Sequence, residues 1–479
     1  MSLVLYDTLR RAEVPFEPRD DGNVAMYACG PTVQADAHVG HGRLMVFSDV
    51  LRRYLSFSGY DVTYVQNVTD IDDKIILRAR REKVSPSVVA TRYTRAWNRA
   101  MEALGVLDPD VQPFATGHLL EMQELIQQLI DQDKAYAVDG DVFFRVRTFD
   151  DYGKLSRRRI DELEQGDDVV DADRKEDPLD FAMWKSAKEG EPAWPSPWGR
   201  GRPGWHIECS VMATKHLGGG FDIHCGGLDL VFPHHENEIA QYEAAHGATF
   251  ARHWVHNGMV RMGDEKMSKS VGNVVNLEDA ARTWGQGPMR LWYLSAQHRT
   301  PLTFDPSRLQ EATVTFERFS TFLRSARRTV TSETASDGVS AKRHIDAFRT
   351  AMDDDLNAPA AIAAIHELVG DGNERLTAAE RGDAEAAVAV ADLSDALLQL
   401  GDDVLGLGLA ATLDVAGDLE RRMDPLVTQL LERRQQARAT RDFEEADRIR
   451  DQLAAAGIVV EDRADGSRWY LEQATSTFA

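Results

Sequence analysis

The sequence predicts an α/β protein whose parallel-sheet domain is split by an insertion and is followed by an α-helical bundle and a small α+β C-terminal module. Three observations predict this fold class. Short apolar runs alternate with helical periodicity near the N-terminus, the alternation resumes after about residue 204, and the chain beyond about residue 310 is almost wholly helical in pattern. A chain of 479 residues is long enough for a large core and smaller domains.

The first elements form a predicted βαβ unit. VAMYACG at 24–30 and DVTYVQNV at 61–68 are apolar runs typical of strands, and between them apolar residues recur at helical spacing up to Gly59. Ser85 followed by Pro86 indicates the start of a second helix, which runs to about residue 104.

The character of the chain changes between about 115 and 204, where it becomes highly charged and then rich in proline and tryptophan. We interpret this stretch as the insertion. Helix and strand patterns resume in GWHIECSVMATKHLG, FDIHCGG and HWVHNGMV. The final residues predict a helix in FEEADRIRDQLAAAGI at 443–458 and a β-hairpin, in which IVVEDR and RWYLEQ face each other.

Composition limits the possible functions. The net charge of -23 argues against nucleic-acid binding, yet arginine-rich clusters such as 324–328 and 433–441 are able to contact phosphates locally, unless they are simply solvated helix faces. The three cysteines, Cys29, Cys209 and Cys225, are too few for a disulfide framework. Without a signal peptide or a membrane-spanning run in the pattern, we expect a cytoplasmic protein with no membrane partner.

DLVFPHHENEIA at 229–240 contains a candidate metal-binding pair. If Pro233 starts a helix, His234 and Glu238 lie one turn apart on one face, which is half of a tetrahedral metal site. The alternative is a helix cap with a surface ion pair.

Two further segments suggest phosphate binding. ACGPTVQADAHVGHGR at 28–43 places His38, Gly40 and His41 where a strand gives way to a helix, whose N-terminus suits a triphosphate. GDEKMSKSVGN at 263–273 offers Lys266 and Lys269 in a glycine- and serine-rich segment that can close on the phosphates. Loop histidines and an exposed turn are the alternatives.

HVGH followed by KMSKS resembles the signature pair of the class I aminoacyl-tRNA synthetases. Within that class, the segments MYACGPTV, NVTDIDDKI, GWHIECS and FPHHENEIAQ are similar to those of the cysteinyl-tRNA synthetase family. The resemblance covers essentially the whole chain.

The resemblance implies one Zn²⁺ per chain, held by Cys29, Cys209, His234 and Glu238, a donor set that suits zinc and a substrate thiolate. Cys225 departs from the family, which usually has a glycine there. We interpret it as a small residue filling a turn, while a role as a competing ligand stays open.

The resemblance also implies the remaining site residues. ATP, with Mg²⁺, is expected to contact His38, Gly40, His41, Gly227, Asp229, Lys266 and Lys269, of which the two histidines and two lysines are catalytic. The amino acid is expected near Thr69 and Trp205, although buried core residues of these types look the same in sequence. His235 and Glu236 are expected either to support the metal ligands without binding the ion or to lie near the phosphates.

The implied function is cysteine–tRNA ligation: L-cysteine and ATP form cysteinyl-adenylate and pyrophosphate, and cysteine passes to the 3′ end of tRNA(Cys) in a monomeric enzyme. The expected domains are 1–114, first half of a Rossmann-like catalytic domain; 115–204, inserted connective segment; 205–262, second catalytic half; 263–310, KMSKS loop and stem-contact region; 311–415, helical tRNA-binding domain; and 416–479, anticodon-binding module.

Two other functions fit parts of the pattern. A ligase that delivers cysteinyl-adenylate to an aminosugar in low-molecular-weight thiol synthesis shares the active-site motifs but needs no long helical domain. A zinc-stabilised RNA-binding protein without catalysis does not need the pair of phosphate-binding motifs.

Overall fold

The computed structural model describes residues 3–162, 174–263, 265–266, 274–330, 334, 336, 338–463 and 466–471. The strands are β1 (Val4–Asp7), β2 (Ala12–Pro15), β3 (Asn23–Ala28), β4 (Asp61–Gln66), β5 (Ala135–Val138), β6 (Asp141–Phe144), β7 (Phe181–Ser186), β8 (Gly201–Pro203), β9 (Phe221–Gly227), β10 (Ala251–Asn257), β11 (Val260–Met262), β12 (Glu265–Lys266), β13 (Leu302–Thr303), β14 (Ile458–Arg463) and β15 (Gly466–Leu471). The helices are α1 (Val39–Phe57), α2 (Asp73–Glu82), α3 (Pro86–Ala103), α4 (Leu119–Asp131), α5 (Trp205–Leu217), α6 (Glu236–His246), α7 (Leu277–Trp284), α8 (Gln286–Tyr293), α9 (Pro306–Thr329), α10 (Lys342–Asp353), α11 (Ala358–Ala379), α12 (Ala384–Leu398), α13 (Leu409–Ala439) and α14 (Phe443–Ala455).

The central sheet is parallel and has the strand order β10-β9-β3-β4. The predicted βαβ unit is confirmed, because β3 pairs with β4 in parallel from Asn23–Asp61 to Ala28–Gln66 and α1 connects them. Strands covered on both faces need continuous apolar runs, which explains the sequence pattern. β3 and β4 precede the insertion and β9 and β10 follow it, so the predicted split is also confirmed.

The insertion forms α4 and an antiparallel sheet of order β5-β6-β7-β8. Its apolar side chains, including Phe144 and Trp184, share a core with Met212 of α5 and Ala240 of α6. The insertion therefore packs on the two helices that follow it in the catalytic domain.

Helices α9 to α12 and the start of α13 share a continuous core with the catalytic domain. A buried arginine joins the two parts: Arg290 of α8 donates to Asp49 of α1 at 2.5 Å and to the carbonyl oxygen of Leu405 at 2.7 Å. The middle of α1 and the turn before α13 are thus fixed to one guanidinium group.

The C-terminal residues form the predicted helix and hairpin. α14 packs on the second half of α13 through Val427, Ile449 and Leu453, and β14 pairs with β15. Among the helices that the structure describes, none combines the length and apolarity needed to cross a bilayer.

Candidate metal centre and nucleotide site

The candidate metal centre lies at the carboxyl end of the parallel sheet. Cys29 follows β3 directly, Cys209 lies in α5, His234 lies in the turn before α6, and Glu238 lies in the first turn of α6. The Cys29 and Cys209 sulfurs are 3.8 Å apart, Cys29 Sγ is 3.7 Å from Glu238 Oε1, and His234 Nε2 is 2.9 Å from the same oxygen. All four side chains are buried. The fold brings together four residues that the sequence separates by up to 209 positions.

The predicted helix start at Pro233 agrees with the backbone, because the extended residue Phe232 comes directly before it and the helical backbone that follows runs on into α6. Residues Val231–His235 form a single wide turn with an extended residue at Phe232, and α6 begins at Glu236. The peptide bond between Phe232 and Pro233 is cis. The predicted contact between His234 and Glu238 is present, and both residues are buried, so the alternative of a surface ion pair is wrong.

The donor atoms fit a tetrahedral zinc ion. Two sulfurs that each lie about 2.3 Å from zinc are about 3.8 Å apart at the tetrahedral angle, and a sulfur and a carboxylate oxygen are about 3.6 Å apart. The corresponding distances here are 3.8 and 3.7 Å. The imidazole and carboxylate are closer to each other, at 2.9 Å, and a small opening would bring them to the ideal spacing.

A second donor set overlaps the first. Cys29, His224, His235 and Glu238 also bring their ligand atoms within 4.8 Å of one another. His224 Nε2 lies 2.8 Å from Glu238 Oε2, and His235 Nε2 lies 3.3 Å from Cys29 Sγ. Sequence reasoning left His235 without a definite role and missed His224. The signal that could have found His224 was its place next to Cys225 in the strand-like segment FDIHCGG.

The electrostatics of the cluster favour a cation. A hydrogen bond from Cys29 lowers the pKa of Cys209 to about 6, although burial opposes it. Burial raises the pKa of Cys29 well above its usual range, and the neighbouring Cys209 raises it further. Burial would raise the pKa of Glu238, but His224 and His234 lower it to about 2. Cys209 and Glu238 are therefore anionic near neutral pH.

Burial would lower the pKa of His234, but Glu238 and Cys209 raise it to about 10. Its other nitrogen, Nδ1, lies 2.9 Å from His206 Nδ1. The ring also stacks on Trp205 with centroids 4.2 Å apart, and Trp205 is 37% exposed. The predicted pocket residue Trp205 thus orients the histidine and presents an aromatic surface to solvent beside the metal centre.

Thr69, the other predicted pocket residue, is buried and donates to Glu208 Oε2 at 2.8 Å. Burial raises the pKa of Glu208 well above its usual range. Asn67, two residues before Thr69, accepts from the Gly30 N–H at 2.8 Å. Gly30, which follows Cys29, and Glu208, which precedes Cys209, are therefore both hydrogen-bonded to the segment just after β4.

Cys225 lies in neither donor set of the described residues. Its interpretation as a turn residue is wrong, because it lies within β9 between Ala28 of β3 and Val255 of β10. Side chains alternate along a strand, so Cys225 faces the core on the opposite side from His224. Burial raises the pKa of its thiol to about 12.

The histidines of the HVGH segment lie at the start of α1. The His38 and His41 rings stack with centroids 3.7 Å apart, and the His38 N–H donates to His41 Nδ1 at 3.1 Å. A Cβ atom at Gly40 would lie 2.9 Å from His38 Nδ1, which explains the glycine between them. Both rings are half-buried.

The segment after the KMSKS motif is hydrogen-bonded to the backbone on both sides of His38. The Val39 N–H donates to the Val275 carbonyl oxygen at 3.0 Å, and the Leu277 N–H donates to that of Ala37 at 3.0 Å. Lys269 lies outside the described residues. Lys266 is in β12, which pairs with β11, but its side chain lies outside the described part of the chain. The predicted lysine contacts stay predictions.

Gly227 and Asp229, predicted to hold the ATP ribose, lie at the carboxyl end of β9 and in the short turn that follows. A Cβ atom at Gly227 would lie 2.6 Å from Asp229 Oδ1, and Asp229 is exposed. This turn connects β9 with the segment that carries His234. The two predicted residues are thus at the same sheet edge as the metal centre.

Glu236 has a role that sequence reasoning did not find. Its buried carboxylate accepts N–H groups of the insertion, from Gly153 at 3.0 Å, Leu155 at 3.3 Å and Ser156 at 2.8 Å. Arg158 stacks on Phe232, with 4.4 Å between the guanidinium carbon and the ring centroid. The insertion is therefore anchored on both sides of His234. In the sequence, the signal for this role was only the position of Glu236 between the predicted ligands His234 and Glu238.

Comparison with known proteins identifies the family. The model for "tRNA synthetases class I (C) catalytic domain" matches residues 15–314. A cysteine–tRNA ligase of Thermus thermophilus is 44% identical, covering 99% of this chain and 100% of the relative. The chain belongs to the cysteine–tRNA ligase family. The corresponding enzymes of Alkalilimnicola ehrlichii and Syntrophotalea carbinolica are 45% and 44% identical, each over 98% of this chain.

Other family models match the C-terminal half. The DALR domain matches residues 347–410, and the "Cysteinyl-tRNA ligase anticodon binding domain" matches residues 420–469. Among solved structures, Mycobacterium tuberculosis methionyl-tRNA synthetase with methionyl-adenylate aligns at a TM-score of 0.62 and 16% identity, covering 82% of this chain and 94% of that one. At that identity the likeness concerns the fold, and it confirms the predicted fold class.

Proposed function

We propose that this member of the family is a cysteine–tRNA ligase that acts on L-cysteine, ATP and tRNA(Cys) as a cytoplasmic monomer. The observation that carries the proposal is the buried group of Cys29, Cys209, His234 and Glu238 beside the histidines of α1. The coverage of the whole chain by cysteine–tRNA ligases supports it.

Cys29, Cys209, His234 and Glu238 would hold Zn²⁺. A zinc ion in such a site accepts sulfur ligands and lowers the pKa of a thiol, so it supplies selectivity for the side chain of cysteine. Thr69 and Trp205 would line the space for the rest of the amino acid. Trp205 presents part of its ring to solvent next to His234, as a pocket wall requires.

In the first reaction, a carboxylate oxygen of cysteine attacks the α-phosphorus of ATP, and the bond to the β-phosphate oxygen breaks to release pyrophosphate. His38 and His41 would donate to phosphate oxygens as charge develops on them. Gly40 lets the rings stack, Gly227 and Asp229 would hold the ribose, and Mg²⁺ would accompany ATP. Lys266 and Lys269 would stabilise the departing pyrophosphate.

In the second reaction, a hydroxyl of the terminal ribose of tRNA attacks the acyl carbon, and AMP leaves. The helical part of the chain and the C-terminal helix and hairpin support an RNA acceptor over an aminosugar, since a small acceptor does not require surfaces so far from the sheet. Matches to the DALR and anticodon-binding families favour the same acceptor.

The test combines two assays on the purified chain. We expect cysteine-dependent exchange of ATP and pyrophosphate, and charging of tRNA(Cys) transcripts. Exchange without charging, together with transfer to an aminosugar, would favour the small-acceptor ligase. Absence of exchange in folded protein that binds RNA would favour the non-catalytic alternative.

A further inference from the structure

Two histidines lie against each other where the insertion joins the catalytic domain. His118 precedes α4 at the start of the insertion, and His216 is in the last turn of α5. Their Nε2 atoms are 3.1 Å apart, and the ring planes meet at 71°. His216 is exposed and His118 is half-exposed. Solvent reaches this pair from outside, and neither residue belongs to the metal centre or nucleotide site.

The tautomer of His118 follows from its contacts. Its Nδ1 lies 2.8 Å from the carbonyl oxygen of Phe114, which can only accept, so Nδ1 carries the hydrogen. The Nε2 atom of the neutral ring then has a lone pair that points at His216. Partial burial, followed by the neighbouring His118, lowers the pKa of His216, which favours its neutral, ligand-competent form.

The spacing of the two nitrogens suits a metal ion. Two imidazole nitrogens that each lie about 2.0–2.1 Å from a tetrahedral ion are about 3.4 Å apart. The observed 3.1 Å requires only a small opening of the two rings. Imidazole is a preferred ligand of zinc, copper and nickel, whereas magnesium and calcium prefer oxygen.

A carboxylate lies on the same side of α4. Glu121 is three residues after His118, and the two therefore share a helix face. Its Oε1 is 3.0 Å from Lys215 Nζ, and Lys215 is the neighbour of His216 in α5. The ammonium group opposes a bound cation and the carboxylate favours it, so the ion pair leaves the local charge nearly balanced.

We infer that His118 and His216 form a second site for a divalent transition-metal ion of the nitrogen-preferring class. An ion bound there links the first helix of the insertion to α5, which also carries Cys209. The site acts as a clamp between the insertion and the catalytic domain. It is independent of the ligase activity, because no residue of the proposed cysteine or ATP site takes part.

The test is a nickel titration of the zinc-loaded full chain by calorimetry. We expect about one nickel ion to bind per wild-type chain, and binding to weaken more than roughly tenfold in His118→Ala and in His216→Gln. The matched control is His246→Ala, since His246 is also an exposed histidine in the last turn of a helix, where it contacts the carbonyl oxygen of Tyr242 and stacks on the Tyr242 ring. The control should bind nickel like the wild type.

Two further readouts separate the proposal from a simple hydrogen bond between the rings. Lys215→Ala frees Glu121 as a third ligand, so nickel affinity should increase. Nickel should also raise the melting temperature of the wild type but not of His216→Gln. Undiminished nickel binding in both histidine variants, or equal nickel stabilisation of wild type and His216→Gln, would overturn the inference.

Discussion

Replacing Cys209 by alanine decides which of the two overlapping donor sets holds zinc. Cys209 belongs only to the set with His234, whereas His224 belongs only to the other set. Structural zinc sites contribute about 10–16 kcal/mol, so an equal share for each of four ligands is about 2.5–4 kcal/mol, or roughly 100- to 1,000-fold in affinity. We expect Cys209→Ala to lose that much zinc affinity.

His224→Gln should have a smaller effect. In the proposed set, His224 touches only the second oxygen of Glu238, at 2.8 Å, and loss of such an orienting contact lowers metal affinity about 10- to 100-fold. The Cys209→Ala chain should still fold, because Glu238 keeps both of its histidine partners, His224 and His234.

The assay is competition with a chromophoric chelator, alongside elemental analysis and circular dichroism. Cys225→Ala is the matched control, since Cys225 is an equally buried thiol on the other face of β9 and should leave zinc binding unchanged. A larger loss of zinc in His224→Gln than in Cys209→Ala would refute the proposed set and assign the ion to the second one.

Three more outcomes are expected. Cysteine should be preferred over serine in pyrophosphate exchange by a factor on the order of ten thousand or more, because the alcohol is a poor ligand for zinc; efficient serine activation followed by tRNA-dependent AMP release would place selectivity in proofreading instead. Gly40→Ala should slow exchange roughly tenfold to a hundredfold, since the new Cβ displaces the His38 ring, whereas Gly117→Ala, with open space around it, should not; equal rates in both would contradict the argument. Arg290→Met should lower the free energy of unfolding by about 3–5 kcal/mol in urea denaturation, because it leaves the buried Asp49 with one cationic partner. The control Arg53→Met removes the other, partly exposed partner of Asp49 and should lower the free energy of unfolding by less. The reverse order would be evidence against the role of Arg290.

Local pattern was sufficient for most elements and for the identity of the motifs. The strands at β3 and β4, the helix that begins at Pro86, and the C-terminal hairpin are correct because each depends on residues near one another in sequence. The positions of Cys29, Cys209, His234 and Glu238 were taken from a resemblance, and their grouping within one buried cluster agrees with it.

Other features depended on which faces meet across the fold. Alternation along β9 puts His224 and Cys225 on opposite faces, but only packing against α5 and α6 determines that the histidine face is the one beside the metal centre.

The sequence by itself determined the order of the elements, the split sheet and the family, because periodicity and motifs are properties of neighbouring residues. The tertiary structure alone decided the second donor set, the anchoring of the insertion by Glu236 and the meeting of His118 with His216. Those contacts join residues that are 14 to 206 positions apart, and their geometry is determined by strand register and by helix packing. Side-chain types along the chain do not specify either of these.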